Sequence, residues 1–486
     1  MSLQIFLEGK ILGVDDCLLA PASQEPDQVF TGRSHWISLL SEVLPRALLA
    51  ELGLAKILLG SSGGSQFLLV LPEESRAAAE SFLNAAAKDI AALSAGALKL
   101  IWSMTENLGD WSDVRRRLEE GLDRGRHAPA GESGPALFSA AVPELDPAVD
   151  EYFSGQLGFS LRDANSVAWS PETPGRILTS GKHSWPLTNS PDAIPFARHS
   201  APSDDGSEPA STAVLAGRAA GLATWGVLRG DVDNFAIRLH RAQSIEEHIQ
   251  LSVMYKQFFA GELEVLCSMP EFWRKVTVIY SGGDDFAVYG AWDALIGLAA
   301  ELERLFRRFA EQNLAEFAGP EGKTISMALA LAPAADASLG AVFEEAGQRL
   351  EAAKSADKDC IWLLGRTLEW KQFAEASTLK EFLGRMVTDF GCSPQYLRDL
   401  CGIYRETQSK MSKRQARRMG GERPWRYHRR IRRILSAARP PGPERCDYQK
   451  ARTALIADLI GRSAVTVKLR PAGRVALEWA RLSAEA

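Results

Sequence analysis

Two separate blocks of the chain show the same succession of hydrophobic and polar positions. The first block predicts strands at residues 2–7, 55–60, 67–71 and 98–104 and helices at 34–52 and 73–93. The second block predicts strands at residues 225–233, 276–280, 286–289, 324–331 and 360–364 and helices at 245–259, 294–317 and 346–354. Strand, helix, hairpin, helix and strand in this order are typical of a ferredoxin-like arrangement. The patterns therefore predict an α+β protein with two ferredoxin-like domains.

A glycine-rich turn with two acids joins the second and third strands of the second block. Residues 280–286 read Tyr-Ser-Gly-Gly-Asp-Asp-Phe between two apolar runs, which indicates a tight β-hairpin. Ser281, Gly282 and Gly283 let the backbone come close to a nucleotide. Side chains alternate along a strand, so Asp284 and Asp285 reach one metal site only if the turn relaxes that alternation. The plain alternative is that Gly-Gly-Asp-Asp is simply favourable hairpin chemistry.

Charged residues at two other points of the second block favour a site over a mere turn. Asp231 ends the strand before the first helix, and Asp233 follows two positions later. Acids on two neighbouring strands can hold two divalent cations, with Asp231 and Asp284 as the first-choice ligands, Asp285 as the third and Asp233 ranked below Asp231. Lys354 and Lys358, near the end of the last helix, can neutralise a triphosphate tail as point charges.

The first block carries a second copy of the glycine turn. Residues 62–67, Ser-Gly-Gly-Ser-Gln-Phe, share four of six positions with residues 281–286 in the same strand-turn-strand setting. Ser65 and Gln66 stand where the second copy has its acids, and neutral side chains cannot assemble the same metal site. The first copy is therefore expected to be non-catalytic and to wall one side of a nucleotide pocket. The alternative is a decayed duplication kept only for packing. Tyr255 and Lys256 are expected near the mouth of that pocket.

Length and composition divide the chain into four regions. The 486 residues predict a first palm-like domain at 1–125, a linker region at 126–215, a second palm-like domain at 216–375 and a helical domain at 376–486. The six cysteines form no Cys-x-x-Cys pair, and residues 128–224 contain no cysteine, so no zinc site is expected. Scattered single cysteines favour a reducing cytoplasm. No apolar run approaches the length of a membrane span, so no membrane partner is expected.

A dense basic run lies in the C-terminal region, although the net charge of the whole chain is −5. Residues 401–440 contain thirteen Lys or Arg against two Glu. The arginines expected to contact RNA or a partner protein are Arg426, Arg429, Arg430, Arg432 and Arg433. Arg417, Arg418 and Arg423 precede them, and Trp425 and Tyr427 are interleaved. A solvated helix face is the equal alternative, because a charge run alone carries no geometry.

These motifs resemble a known family. Residues 231–234 (Asp-Val-Asp-Asn), residues 281–285 and the Ala353-Lys354 helix are similar to the polymerase-like large subunit of type III CRISPR effector complexes, best to the Csm type. GGDEF cyclases and polymerase palms are its broader kin. The resemblance implies one degenerate and one active palm, and synthesis of cyclic oligoadenylate from ATP with Mg²⁺ or Mn²⁺ when target RNA binds. It also implies guide RNA, the 5′-handle-binding subunit and the small helical subunit as partners.

The sequence departs from the family's pattern at two points. Many members carry an N-terminal HD nuclease domain, but here none of the seven histidines is followed by Asp, so no HD nuclease activity is expected. Csm-type relatives usually carry a zinc-binding insert, which the cysteine-free stretch at residues 128–224 cannot supply. Two alternatives stay open: a stand-alone GGDEF-like dinucleotide cyclase, and a non-catalytic scaffold subunit of an RNA-guided complex.

Overall fold

The computed structural model describes residues 3–22, 26–127, 146–188, 190, 192–409, 425–438, 446–461 and 468–485. Two mixed α/β units dominate it, and the chain is an α+β protein, as predicted. No described helix has both the length and the apolar character needed to cross a membrane.

The first unit is a four-stranded antiparallel sheet with helices packed on it. Its elements are β1 (Gln4–Leu12), α1 (Val14–Leu18), α2 (Pro26–Glu51), β2 (Leu59–Gly63), β3 (Gln66–Pro72), α3 (Arg76–Leu93), β4 (Lys99–Glu106) and α4 (Trp111–His127). The strand order is β2-β3-β1-β4. Helix α2 begins eight residues before the predicted start, because Val29 and Phe30 are buried although the sequence around them is polar. The predicted strand at residues 55–60 instead begins at Leu59, after a 3₁₀ turn in which Ile57 is 87% exposed.

A connecting region of short elements follows. It contains α5 (Pro147–Glu151), a π-helical turn (Tyr152–Phe159), β5 (Ser166–Trp169), β6 (His183–Pro186) and α6 (Thr212–Gly217). Strands β5 and β6 pair as a small antiparallel hairpin. Buried side chains of this region, among them Phe153 and Trp169, join the core of the first unit.

The second unit repeats the first and extends it. Its elements are β7 (Trp225–Val232), α7 (Phe235–His240), α8 (Ile245–Gln257), α9 (Leu263–Cys267), β8 (Val276–Ser281), β9 (Asp285–Ala291), α10 (Trp292–Asn313), β10 (Ile325–Leu331), α11 (Leu339–Ala356), β11 (Cys360–Leu363) and β12 (Arg366–Glu369). The strand order is β12-β11-β10-β7-β9-β8. Four of these strands, in the order β8-β9-β7-β10, reproduce the order β2-β3-β1-β4 of the first sheet.

Packing details confirm that the two units are structural repeats. The Phe67 ring fills the space over Gly9, where an added Cβ would lie 2.1 Å from a ring carbon. The Phe286 ring fills the space over Gly230 in the same way, at 2.2 Å. The first pair joins β1 to β3 and the second joins β7 to β9, so the central strands correspond residue by residue.

The first long helix of each unit also contacts the edge strand of the other unit. Helix α2 of the first unit packs against β8, where the Ser34 hydroxyl donates to the Ile279 carbonyl at 2.7 Å. Helix α8 of the second unit packs against β2, with Ile249 over Gly60. With these contacts the two glycine turns lie face to face, and a Cβ on Gly64 would lie 3.0 Å from the Gly283 nitrogen.

The remaining elements form a helical region at the end of the chain. They are α12 (Trp370–Thr388), α13 (Gln395–Ser409), α14 (Trp425–Ala438), α15 (Cys446–Leu459), β13 (Ile460–Gly461), β14 (Lys468–Leu469) and α16 (Pro471–Ala484). In α14, Ile431 and Leu435 are buried, which anchors the helix to its neighbours. Arg429, Arg432 and Arg433 are exposed and Arg430 is half-buried. Arg417, Arg418 and Arg423 lie outside the described residues, as do the side chains of Trp425, Arg426 and Tyr427.

Candidate active site

The three acids proposed as metal ligands, Asp231, Asp284 and Asp285, line one cleft of about 300 Å³ between the two units. Asp231 on β7 is the direct cross-strand partner of Asp285 on β9, so both side chains start from the same face of the sheet. Asp284 lies in the turn just before β9, and its carbonyl accepts a hydrogen bond from the Val232 amide at 2.9 Å. The turn thus relaxes strand alternation, and the three side chains border one cleft.

The glycines of the turn make room for this arrangement. The Gly282 amide donates to the Asp285 carbonyl at 2.7 Å and closes the hairpin. A Cβ on Gly282 would lie 2.0 Å from Asp285 Oδ1, so any larger residue would displace that carboxylate. Residue 282 is therefore glycine because the carboxylate folds back over it.

Burial and mutual repulsion make these carboxyl groups hard to ionise. Burial, with Asp285 and Asp231 close by, raises the pKa of Asp284 well above its ordinary range. Burial and the charge of Asp231 raise the pKa of Asp285 to about 6. Burial also raises the pKa of Asp231, although Lys354 works against it. Such a cluster favours any cation that can enter the cleft.

Lys354 already supplies one such cation. Its Nζ lies 2.6 Å from Asp231 Oδ1, and the side chains are 18% and 28% exposed. Lys358 lies outside the cleft lining, and its ammonium donates to the Asn234 side chain. The structure therefore brings Lys354 to the acids and holds Lys358 one turn away, beside the loop after β7.

Asp233 has a different surrounding from the other acids. It is 1% exposed, and its carboxylate accepts hydrogen bonds from the Thr324 hydroxyl at 2.7 Å, the Ser326 hydroxyl at 2.8 Å and the Asp359 amide at 2.9 Å. These three donors supply hydrogen bonds to both carboxylate oxygens and connect the end of β7 to β10 and to the start of β11. Asp233 thus supports the fold of the loop and does not line the cleft.

The sequence did not assign Asp15 of α1 to the cleft, nor two strand residues, Arg229 and Tyr280, although all three line it. Arg229, two positions before Asp231 on the same face of β7, lines the cleft, and its guanidinium stacks 4.1 Å from the Phe343 ring centroid. It also donates to the Tyr280 hydroxyl at 3.4 Å, and that hydroxyl donates to Asp285 Oδ2 at 3.0 Å. A polar residue at an apolar strand position was the available signal for both.

A second cleft of about 460 Å³ is lined by residues of both units, among them Lys10 and Gln66 of the first and Phe235 and His240 of the second. Asp284 borders this cleft as well as the first one. In the first unit, Lys10 is the cross-strand partner of Gln66, so Lys10 occupies the position that Asp231 has in the second. The set Lys10, Ser65 and Gln66 offers no carboxylate at the positions equivalent to the three acids, and a first palm that holds no metal by itself stays a prediction.

Two sequence predictions about the pocket mouth are wrong. Tyr255 is buried, and its hydroxyl donates to the Gly322 carbonyl at 2.7 Å. Lys256 is buried between the two units and pairs with Glu42 at 2.6 Å. Both side chains point inward, Tyr255 into the core of the second unit and Lys256 toward Glu42 on α2, which apolar periodicity alone could not show. Among the described residues, no set of three or more His, Cys, Asp or Glu forms a preassembled metal cage.

Comparison with known proteins identifies the second unit. Residues 224–362 match the family described as Cas10/Cmr2, second palm domain. A CRISPR system single-strand-specific deoxyribonuclease Cas10/Csm1 (subtype III-A) from Enterococcus italicus is 31% identical over 171 residues, which are 34% of this chain and 21% of that protein. The Cas10/Csm1 of Mycobacterium tuberculosis is 33% identical over 121 residues, 21% of this chain and 15% of that protein. The matches thus span about a fifth of these relatives or less.

Solved structures show the same fold over nearly the whole chain. A Csm1–Csm4 cassette in complex with cA3 has a TM-score of 0.71 at 16% identity and covers 99% of this chain and 70% of that chain. A Csm1–Csm4 cassette in complex with AMPPNP has a TM-score of 0.69 at 16% identity, with 99% and 70% covered. The second unit is thus similar to the Cas10/Cmr2 second palm domain, and the resemblance to the large subunit of type III CRISPR complexes is confirmed.

Proposed function

We propose that this chain is the catalytic large subunit of a cytoplasmic type III CRISPR complex and that it converts ATP to cyclic oligoadenylate when target RNA binds. The observation that carries the proposal is the cleft between the palms. Three carboxylates with raised pKa values line it beside a lysine and a glycine turn. No zinc is required.

The donor set fits two hard divalent cations, Mg²⁺ or Mn²⁺. Asp231, Asp284 and Asp285 offer only oxygen ligands, and the repulsion that raises their pKa values is relieved by bound positive charge. Bound metal ions in such a site activate the attacking oxygen and stabilise the leaving one. The Tyr280 hydroxyl, which already holds Asp285 at 3.0 Å, would keep that carboxylate oriented.

The chain's own residues would bind and orient the triphosphate. Ser281 and Gly282 line the cleft without bulky side chains, and Gly283 lies beside it against Gly64. Lys354 would leave Asp231 and turn to the β- and γ-phosphates, with Lys358 one turn further along. The guanidinium of Arg229 lies on the same face as the acids and adds positive charge there.

Two clefts that share Asp284 suit the joining of two nucleotides. The 3′-hydroxyl of one ATP would attack the α-phosphate of the other; a phosphodiester forms, pyrophosphate leaves and the hydroxyl proton is released. Holding both reactants in place removes most of the entropic barrier of such a step. The first palm, with Lys10 in place of Asp231, would hold its nucleotide by charge alone.

The comparisons support the assembly as well as the chemistry. Similar structures are cassettes of Csm1 with Csm4, solved with cA3, cA4 or AMPPNP. For this chain we propose guide RNA, target RNA and other type III subunits as partners, with the exposed arginines of α14 as one contact. The relatives are named single-strand-specific deoxyribonucleases, but the segment that matches this chain is only about a fifth of one of them. Their name therefore does not decide whether this chain is a nuclease, and the absence of HD nuclease activity stays a prediction.

The direct test is the double variant Asp284→Ala with Asp285→Ala, in the assembled complex with ATP, Mg²⁺ and target RNA. Loss of the carboxylates should abolish product, because it removes two of the three proposed metal ligands and leaves only Asp231 and Asp15 as carboxylates in the cleft. The matched control is Ser65→Ala with Gln66→Ala, at the equivalent positions of the first palm, which should lose far less. A folded Asp double variant that still forms product, or a control that loses as much, contradicts the proposal.

A further inference from the structure

A buried network of charges joins the two palms behind their glycine turns. Glu42 on α2 is 4% exposed in its side chain and accepts from Lys256 on α8 at 2.6 Å and from Arg46 at 2.7 Å. The Ser62 hydroxyl, on the strand that leads into the first turn, donates to Glu42 at 2.9 Å and accepts from Lys256 at 3.2 Å. Residues of both palms thus meet at one carboxylate.

The network touches the first glycine turn directly. A Cβ on Gly63 would lie 3.0 Å from Glu42 Oε1 and 3.3 Å from the Lys256 side chain, and the backbone there has φ of +111°. Only glycine satisfies both conditions. The next residue, Gly64, lies against Gly283, so the contacts run from Glu42 and Lys256 through the first turn to the catalytic turn.

Stability alone is a poor explanation for such a network. Taking two charges out of water costs several kcal/mol per ion, and apolar residues of similar volume often stabilise a core as well or better. Burial raises the pKa of Glu42, but Lys256 and Arg46 outweigh it, so the carboxyl stays ionised. What the charges provide is a fixed geometry, because a carboxylate shared by two cations and a hydroxyl has one favourable arrangement.

We propose that Glu42 and Lys256 are positioning residues: they fix the turn of the first palm against the catalytic turn and thereby set the separation of the two nucleotide clefts. This inference rests on the proposed function. A shift of about 1 Å in such an alignment costs on the order of 10²-fold in rate. The degenerate palm would therefore contribute to the reaction through this contact and not only as a wall.

The test replaces the buried pair by apolar residues, Glu42→Leu with Lys256→Met, in the full chain assembled with its partners. The control is Lys275→Met with Asp293→Leu, an ion pair of 3.0 Å within the second palm that joins the residue before β8 to α10. We expect product formation to fall at least tenfold for the buried pair, with the Kd for a non-hydrolysable ATP analogue changed less than threefold. The control should stay within twofold of the wild type.

A smaller change covers the case in which the apolar pair does not fold. Ser62→Ala removes only the hydroxyl that links Glu42 and Lys256 to the turn, and it should reduce kcat at least threefold with KM little changed. Wild-type rates in the folded apolar pair, or in Ser62→Ala if the pair unfolds, overturn the inference.

A readout that needs no catalysis separates this inference from the proposed function. If the wild-type complex makes no product, the proposed function fails. The positioning role is then decided by spin labels on Lys88 of α3 and Arg308 of α10, both exposed. Their distance distribution should broaden in the apolar pair, or in Ser62→Ala if the pair unfolds, and an unchanged distribution overturns the positioning role.

Discussion

Two acids only two residues apart should give opposite phenotypes. Asp233→Ala removes three hydrogen bonds from a carboxylate that is 1% exposed and leaves the Thr324, Ser326 and Asp359 donors without their acceptor. Hydrogen bonds to a charged group contribute about 1.5–3 kcal/mol each, and they are not additive, so we expect a loss of about 3–5 kcal/mol. For a domain of this size that lowers Tm by roughly 6–20 °C.

Asp231→Asn should barely change stability. It breaks the ion pair with Lys354, which is half-buried and contributes at most about 1 kcal/mol. It also removes a carboxylate whose pKa burial has raised, so part of that loss is recovered. We expect Tm within roughly 3 °C of the wild type. Product formation should nevertheless fall by on the order of 10²-fold or more, because one metal ligand is lost.

Calorimetry and the ATP assay on the same preparations check both expectations. Asp233→Asn is the graded control, since an amide keeps an acceptor oxygen and should lose less stability than alanine. The folded fraction of Asp233→Ala, assayed well below its Tm, should still form product. If Asp233→Ala melts with the wild type, or if Asp231→Asn unfolds as readily as Asp233→Ala, the division between fold and chemistry is wrong.

Three further predictions concern other parts of the molecule. Burial, with Glu119 nearby, raises the pKa of Glu8 to about 7, although the charges of Lys10 and Arg115 lower it. Between about pH 4.5 and 7 the native state therefore keeps a proton that the unfolded chain has released. Glu8 thus lowers the stability of the native state as the pH rises through this range. Glu8→Gln should therefore raise Tm at pH 8 and not at pH 4, and an equal gain at both refutes this cause. Changing Arg429, Arg430, Arg432 and Arg433 to Glu should weaken assembly in co-purification, more at low salt if RNA is the partner, while full recovery of guide RNA and subunits would make the run a solvated face. The purified chain should not degrade single-stranded DNA with Mn²⁺, and Mn²⁺-dependent degradation by a clean preparation refutes that expectation.

Local patterns were sufficient to predict the succession of strands and helices in the two units and the hairpin turn with its paired acids. The repeat of the glycine turn and the spacing of Asp231, Asp284 and Lys354 depend on short-range chemistry, which a sequence displays directly. Extending the sequence alignment of the two repeats back to Gly9 and Gly230 would also have shown that Lys10 occupies the position equivalent to Asp231.

Tertiary contacts decided what the sequence could not show. Glu42 and Lys256 are more than two hundred positions apart, and each looks like an ordinary polar residue of a helix surface. Their pairing depends on the way α2 packs against β8 of the second palm and α8 packs against β2 of the first. Asp231 and Asp233 likewise look equivalent in the sequence, and only their surroundings separate a cleft ligand from a structural acid.

The central claim is that the cleft between the palms joins ATP into a cyclic product, and the most direct measurement is the mass of what the assembled complex makes. With ATP, Mg²⁺ and target RNA, the account predicts cyclic oligoadenylate, lost when any of the three is omitted. Absence of nucleotide product under these conditions, or formation of cyclic diguanylate from GTP without RNA, contradicts it.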